Sequence, residues 1–420
     1  MNIFLTNKNY RRFSIASFLS SAGDILFYLV FMTYASKLEN YSLALSLIAI
    51  SESVPKLFTI FGGYFADKTQ KKFRNIFLTA LARCILYGLV GFLFISRINQ
   101  WNLVIMVVVI NLISDTFGSY SSGLVSPLIV DLVGEDHFGE AEGFTNGVNQ
   151  VINIVAQFVG SALLLIMSYS SLAFVNALSF LLAGLLFASV GLKYSKQGEV
   201  VKNQEVNTQP FFITMKTSFK QVKKQAGLFE VVLVVAVLNG ALSSIGALIP
   251  IMIAGHKATM VISRYSFTIA LMGVVVGGGA ALGSMFGTQI FKKLTIFSMT
   301  IVATVISLLT TFSIFVANIY LILGLYFLLA LTASATSIKL TQWLVSSVEH
   351  KILASTVGLL NTILIASAPL ITTILTTISG VTNITYALVT LVIFEVLTLL
   401  TECKVSQKVK ITQNLSSIKE

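Results

Sequence analysis

Charged residues are scarce in this sequence. They make up only 11% of the 420 residues, whereas hydrophobic residues make up 55%, and the mean hydropathy is +0.88. Soluble domains carry about 25% charged residues, so this chain has too few to cover itself with a water-facing surface. The composition therefore predicts a membrane protein whose outer surface is covered by lipid.

Several motifs are also missing. The two cysteines, Cys84 and Cys403, have neither metal-site spacing nor the number of a disulfide scaffold. No phosphate-binding loop of the type Gly-x-x-x-x-Gly-Lys-Ser/Thr occurs, which excludes ATP-driven export by this chain alone. No nucleophile-base-acid arrangement or metal-ligand cluster is found, so we expect neither an enzyme nor a cofactor. The net charge of +11 lies in short connectors rather than on a polar domain, which argues against nucleic acid as a partner.

Long apolar runs are what the sequence has instead. A bilayer core of about 30 Å needs roughly 20 helical residues, and these runs lack the alternation of barrel strands. The first eleven residues carry no cleavable signal pattern, so we expect the first run to remain as a span. Twelve runs are long enough to be spans, near 13–35, 42–66, 74–96, 101–123, 144–168, 171–192, 228–253, 265–290, 295–317, 319–343, 355–379 and 382–402. We predict an all-α protein with twelve transmembrane helices.

Lysine and arginine predict the orientation. If the N-terminus is cytoplasmic, 21 of these cations fall on the inner face and four on the outer face. This excess is typical of cytoplasmic loops. We therefore predict that both termini are cytoplasmic.

The polar segment 193–227 divides the spans into two groups of six. Within it, Phe212 and Phe219 recur at helical spacing opposite lysines, which fits either an amphipathic helix on the inner leaflet or a plain tether. Gly143 and Asn146 of the fifth span recur at an offset of 215 residues as Gly358 and Asn361. We predict two pseudo-symmetric six-helix bundles, 1–192 and 228–403, with a cytoplasmic linker at 193–227 and a cytoplasmic tail at 404–420.

Placing a charged side chain at the bilayer centre costs at least about 3 kcal/mol of insertion free energy. Ionisable residues inside the spans are therefore expected to have a function. The acids of the first four spans are Asp24, Glu52 and Asp115, and Arg83 lies in the third span. Glu52 and Lys56 stand one turn apart and could pair locally. Because Arg83 cannot fully neutralise both Asp24 and Asp115, the N-terminal half has one acid in excess.

An excess buried acid is suited to carrying a proton or to balancing a cationic substrate. We expect Asp24 to serve in this way first, because it lies mid-span, and Asp115 second. The alternative is that both acids form structural ion pairs. Lys339 and Glu395 lie nearer the inner ends of their spans, and we expect them to reach toward the interface.

A short charged hinge lies between the second and third runs. It reads Gly-Tyr-Phe-Ala-Asp-Lys-Thr-Gln-Lys-Lys-Phe-Arg from Gly63 to Arg74. This hinge resembles the loop motif of major facilitator superfamily transporters, Gly-x-x-x-Asp-Arg/Lys-x-Gly-Arg/Lys-Arg/Lys. The matching residues are Gly63, Asp67, Lys68, Lys71 and Lys72, and Gln70 replaces the second glycine of the motif.

Within that superfamily the chain is most similar to bacterial macrolide-efflux exporters. The resemblance rests on Ser-Ala-Gly-Asp at 21–24 and on Ser-Pro-Leu-Ile-Val at 126–130. Two drug-antiporter motifs differ: Asn111 lies near the place of the expected arginine, and the fifth span lacks a Gly-Pro pair. The resemblance implies that span one lines a cavity between two bundles.

The hinge motif would act as a conformational latch. Asp67, at the end of the second span, could accept hydrogen bonds from the N-terminus of a neighbouring helix. The alternative is a positively charged stop signal, which leaves Asp67 unexplained.

From these observations we expect a secondary active exporter of amphipathic or hydrophobic small molecules. The resemblance and the buried acids favour the proton gradient as its energy source, a bacterial plasma membrane location and a monomer. Uptake or exchange of a nutrient or lipid on the same fold is an alternative. A non-transporting membrane receptor or assembly partner is another.

Overall fold

A computed structural model describes residues 2–67, 69–196, 228–347 and 350–417 of the chain. All regular secondary structure in these ranges is helical, as the apolar runs predict. The helices are α1 (Asn2–Thr6), α2 (Lys8–Ala35), α3 (Tyr41–Asp67), α4 (Lys72–Ile95), α5 (Gln100–Val133), α6 (Glu135–Leu163), α7 (Tyr169–Lys196), α8 (Leu228–Gly255), α9 (Lys257–Met260), α10 (Tyr265–Ile290), α11 (Ile296–Val316), α12 (Ile319–Ser347), α13 (His350–Val381) and α14 (Ile384–Ser417).

Twelve of these helices correspond to the twelve predicted runs, which confirms the all-α membrane fold. In the described part of the chain, eleven are long and apolar enough to cross a membrane. The twelfth is α6, whose 29 residues exceed the length needed for a bilayer core. Amide side chains recur along it and lower its hydropathy.

Two compact units make up the chain. The first lies within Met1–Asn207 and Ile262–Gly273, and the second within Thr208–Val261 and Val274–Glu420. The predicted linker begins inside α7, which continues to Lys196. The rest of that linker, 197–227, lies outside the described residues, so its amphipathic helix and the predicted domain bounds stay predictions.

Helix α2 is the central helix of the first unit and packs against α6 and α7, while α3 packs on α5 and α4 on α7. The side chain of Asn7 caps α2 by accepting hydrogen bonds from the backbone N–H groups of Asn9 and Tyr10, both at 3.0 Å. The hydroxyl of Tyr10 is buried at the same end and donates to the carbonyl of Ala141 at 2.7 Å. These contacts fix α2 against α6 at one end of the unit.

Helix α8 is the centre of the second unit. It packs against α11, α12, α13 and α14, and α11 also packs against α12 and α14. Glycines let α10 approach α12 closely. A Cβ added at Gly279 would lie 2.5 Å from the carbonyl oxygen of Phe327, and a Cβ added at Gly283 would lie 2.2 Å from the carbonyl oxygen of Leu331. At these two positions the absence of a side chain permits the close contact between the helices.

Candidate functional site

The charged side chains of the first four spans meet around Arg83. This residue lies on α4, and its side chain is only 6% exposed. Its Nη2 atom lies 2.6 Å from Oδ1 and 2.7 Å from Oδ2 of Asp24 on α2. The same nitrogen lies 3.4 Å from Oδ1 of Asp115 on α5. Helices α2, α4 and α5 therefore place one cation between two acids, with the shorter contacts to Asp24.

Further neighbours hold the guanidinium group of Arg83 in place. Nε donates to the hydroxyl of Ser114 at 3.0 Å, and the guanidinium carbon lies 4.1 Å from the ring centroid of Phe180 on α7. A cation over an aromatic face is attracted by the ring quadrupole. A Cβ on Gly118 would lie 3.3 Å from the guanidinium carbon, so the glycine leaves the space that Arg83 occupies.

The amide of Asn111 connects the remaining acids. Its Nδ2 atom donates to Oε1 of Glu52 at 3.0 Å and to Oδ2 of Asp115 at 3.2 Å. The hydroxyl of Tyr87 donates to Oδ1 of Asn111 at 2.6 Å, which orients the amide so that its nitrogen faces the two carboxyl groups. Asn111 thus brings Glu52 and Asp115 within hydrogen-bond distance of a single nitrogen atom.

Negative charge exceeds positive charge in this cluster, which we call the Arg83 cluster and define as Asp24, Glu52, Arg83, Asn111 and Asp115. Three acids surround one arginine. Lys56 is exposed, and among the described residues the ion pairs of this region are those of Arg83 alone. The possible local pair of Glu52 with Lys56 is therefore not formed, and Glu52 bonds to Asn111 instead. Arg83 contacts Asp24 closely, and Asp115 and Glu52 are the less neutralised acids.

The hinge motif is described only in part. Helix α3 ends at Asp67, as predicted, and α4 begins at Lys72. Only the helical backbone is described at Gly63 and Asp67, and Lys68 lies wholly outside the described residues, so the latch stays a prediction. Lys71 is exposed and precedes the first residue of α4.

Tyr120 on α5 binds the described part of the hinge. Its hydroxyl shares a hydrogen bond of 2.8 Å with Thr69 and accepts one of 3.0 Å from Nδ2 of Asn75. Tyr120 was not among the residues predicted from the sequence. These bonds fix the start of α4 to α5 at the end of the span that carries Asp115.

Helix α6 exposes two chemically different faces. At about 100° per residue, one face carries exposed amides and the opposite face carries valines that are 44–58% exposed. The amide face consists of Asn146, Gln150 and Asn153, and the valine face of Val151, Val155 and Val159. Exposed amides are unfavourable against hydrocarbon, whereas valines are well suited to it. One side of α6 therefore matches water and the other matches lipid.

The sequence-based prediction for Glu395 is wrong. This residue was expected to reach toward the interface, but it is only 1% exposed and lies against α11 within the second unit. Lys339 does reach polar groups, since its Nζ donates to the carbonyl of Phe291 at 2.8 Å. The sequence reasoning also missed the buried Glu402 and the role of Tyr87, although the seven-residue spacing of Glu395 and Glu402 was a usable signal.

The described part of the chain has eleven helices that are long and apolar enough to span a membrane and a charge cluster buried among its helices, which define a polytopic helical membrane protein. The sequence matches the Major Facilitator Superfamily over residues 13–373. The chain therefore belongs to the major facilitator superfamily. The comparison with curated proteins gives no significant match.

Solved structures support the same fold. A bacterial homologue of the human lysosomal transporter Spinster, in an inward-facing and unoccupied conformation, is 12% identical with a TM-score of 0.66, covering 95% of this chain and 97% of that one. A bacterial homologue of the iron transporter ferroportin is 14% identical with a TM-score of 0.68, covering 95% and 98%. A peptide transporter POT in complex with alafosfalin is 11% identical with a TM-score of 0.70, covering 96% and 95%. At these identities the likeness concerns the fold alone.

Proposed function

We propose that this protein is a secondary active transporter that exports amphipathic or hydrophobic small molecules in exchange for protons. The observation that carries the proposal is the Arg83 cluster, where one guanidinium contacts two carboxyl groups and a third carboxyl group, that of Glu52, is bound only to Asn111. A membrane protein gains no stability from an unpaired acid at this depth. The excess of carboxyl groups has a function if one of them takes up and releases a proton during transport.

Asp115 is our first candidate for the proton carrier, with Glu52 as its partner. Both accept hydrogen bonds from the same nitrogen of Asn111, so two negative charges there would repel each other. A single shared proton removes that repulsion. Asp24, which the sequence favoured, is better placed as the permanent counter-ion of Arg83, because both of its oxygens lie within 2.7 Å of Nη2.

The polar face of α6 supports a water-filled path for the substrate. Its amides offer both donors and acceptors, and the aromatic residues of the chain offer apolar area. Such a surface suits a solute with apolar bulk and a few polar groups. The macrolide-like subclass rests on the sequence resemblance alone.

Energy, location and assembly follow from the same proposal. The transporter uses the proton gradient and needs no cofactor. It lies in a bacterial plasma membrane as a monomer with both termini in the cytoplasm, the orientation that the cation distribution favours. The hinge of Gly63, Asp67, Lys68, Lys71 and Lys72 acts as a conformational latch, and Tyr120 anchors its described end.

A second candidate function is uptake or exchange of a polar nutrient. The amide face of α6 favours it, because amides recognise hydrogen-bonding solutes better than apolar ones. Here a proton would enter with the solute rather than against it. The direction of proton-driven flux separates the two functions.

Transport in vesicles tests the proposal. Inverted and right-side-out vesicles containing the protein are energised, and the movement of labelled erythromycin, ethidium and a mixture of dipeptides is followed. Export predicts accumulation of erythromycin or ethidium in inverted vesicles, abolished by a protonophore. Accumulation of dipeptides in right-side-out vesicles would favour uptake, and no flux of any probe would favour a non-transporting receptor.

Cysteine labelling tests the path itself. In a variant lacking Cys84 and Cys403, Asn153→Cys should react with a charged, membrane-impermeant thiol reagent applied to permeabilised cells. The matched control Val155→Cys lies two residues away on the lipid-matched face and should not react. Equal labelling of both positions would contradict a water-facing amide surface.

A further inference from the structure

Two glutamates of α14 are buried within the second unit. Glu395 is 1% exposed and Glu402 is 3% exposed. They are seven residues apart, so they lie on the same face of the helix, about 10 Å apart along its axis. A membrane helix rarely buries one acid on its packed face, and here it buries two.

A row of hydroxyl groups on α11 faces these glutamates. Ser307 and Thr311 both donate to Oε1 of Glu395, the latter at 3.2 Å. Thr304 donates to Oε1 of Glu402 at 2.8 Å. The three hydroxyl residues follow helical spacing, so two polar rows meet along the contact of α11 with α14.

No cation neutralises the glutamates within the described residues. Helix α11 and the described side chains of α13 contain no titratable residue, and α8 contributes only Glu230 near its beginning. On α14 itself, Lys404 is exposed. Lys339 of α12 is bound to backbone carbonyls. The charged form of either acid would therefore be stabilised by hydroxyl dipoles alone.

The second oxygen of each glutamate adds an independent observation. Oε2 of Glu395 and Oε2 of Glu402 are both buried without a hydrogen-bond partner. A carboxylate oxygen buried in this way carries the full cost of desolvation. A proton on the carboxyl group removes the net charge, so a proton is the ligand that this environment fits best.

The positions of the two acids along α14 differ in depth. Glu395 is about 16 Å and Glu402 about 27 Å from the first residue of the helix, at 1.5 Å per residue. In the candidate span Ile384–Val405, Glu402 therefore lies near one end and Glu395 near the middle. Thr304, Ser307 and Thr311 line the interval between them.

We propose that Glu402 and Glu395 form a proton-binding pair in the second unit, loaded from the membrane surface nearest Glu402 and separate from the Arg83 cluster. A proton that reaches Glu402 exchanges with Glu395 along the hydroxyl row, and each acid is neutral when loaded and anionic when unloaded. The inference concerns proton binding alone and does not depend on the direction or substrate of transport.

Infrared difference spectroscopy tests the proposal on the full-length protein in lipid nanodiscs without any substrate. A protonated carboxyl group has a C=O stretching band that is distinct from the bands of a carboxylate. In the wild type, such bands should lose intensity when the pH is raised from mildly acidic to mildly alkaline. Glu395→Gln and Glu402→Gln should each remove one pH-dependent band, and the control Glu230→Gln should leave these bands unchanged.

A milder variant shows whether a band is lost because the acid is replaced or because the protein is misfolded. Ser307→Ala keeps both acids but removes one donor, so the band of Glu395 should shift in frequency while that of Glu402 stays in place. The proposal is overturned if the Glu395→Gln spectrum equals that of the wild type. It is also overturned if the bands are present but do not respond to pH, because the pair would then be permanently protonated.

Discussion

Neutralising Asp24 should destabilise the protein, whereas neutralising Asp115 should not. Arg83 is buried, and its shortest contacts are to the two oxygens of Asp24. Asp24→Asn leaves the guanidinium with Asp115, whose nearest oxygen is 3.4 Å away. Breaking a buried ion pair costs about 3 to 5 kcal/mol. We expect the lower value because the side chain of Asp24 is 33% exposed.

Asp115 has a different balance of charges. At an effective dielectric constant of about 20, two charges about 5 Å apart interact by about 3 kcal/mol. Charged Asp115 would be repelled to about this extent by each of Asp24 and Glu52 at such a separation, and attracted by Arg83 by about 5 kcal/mol at 3.4 Å. The two repulsions together exceed the attraction, so we expect the proposed proton of the cluster to reside on Asp115. Asparagine closely resembles a protonated aspartate, and Asp115→Asn should change the stability by less than about 1 kcal/mol.

Thermal unfolding in detergent measures this difference. For a bundle of this size, a loss of 3 kcal/mol lowers the melting temperature by about 10 °C. Glu39→Gln, which neutralises an exposed acid in the loop before α3, serves as the control and should leave the melting temperature unchanged. Equal losses for Asp24→Asn and Asp115→Asn, or no loss for Asp24→Asn, would refute the assignment of Asp24 as the counter-ion.

Three further predictions concern packing and hydrogen bonds. Gly283→Ala should destabilise the second unit by about 2 kcal/mol, because the new Cβ would meet the backbone of α12. The control Gly324→Ala has open space around its new Cβ and should be tolerated. The melting temperatures of the two variants measure the difference. Tyr120→Phe loses the hydrogen bonds to Thr69 of the hinge and to Asn75 of α4, worth about 1 kcal/mol each. It should speed hydrogen exchange at the start of α4, and unchanged exchange would contradict the anchoring role. Tyr87→Phe frees the amide of Asn111 and should lower the rate of proton-driven transport without lowering the melting temperature by more than a few degrees.

Much of the fold was predictable from the sequence because the bilayer restricts what a chain can do. Apolar runs of about 20 residues must be helices in lipid, so twelve runs predicted twelve helices. Helix α6 departs most from a simple span, since amides such as Asn153 lower its hydropathy. Those amides lie on one exposed face, which a hydropathy average cannot detect but helical periodicity can.

The Arg83 cluster was predictable in its members but not in its pairing. The sequence identified Asp24, Glu52, Arg83 and Asp115 as costly in lipid, and it indicated that one arginine could not satisfy two acids. It could not reveal that Asn111 connects Glu52 to Asp115, because that contact depends on how α3 packs against α5. Local spacing instead indicated a pair of Glu52 with Lys56.

Glu395 shows the limit of reasoning from position along a span. Its distance from the end of the predicted run suggested that it could reach the interface. The side chain instead lies against the hydroxyl groups of α11, a partner that is distant in sequence. Tertiary contacts of this kind decide whether a membrane acid is exposed or buried.

Gradient-driven transport by Asp115→Asn tests the central claim most directly. Purified wild-type and Asp115→Asn proteins are reconstituted in liposomes, and labelled erythromycin is followed both in equilibrium exchange and under an imposed pH gradient. We predict that the wild type accumulates erythromycin under the gradient, and that Asp115→Asn still exchanges it at equilibrium but no longer accumulates it. Accumulation by Asp115→Asn at the wild-type level would contradict the claim that this acid carries the coupling proton.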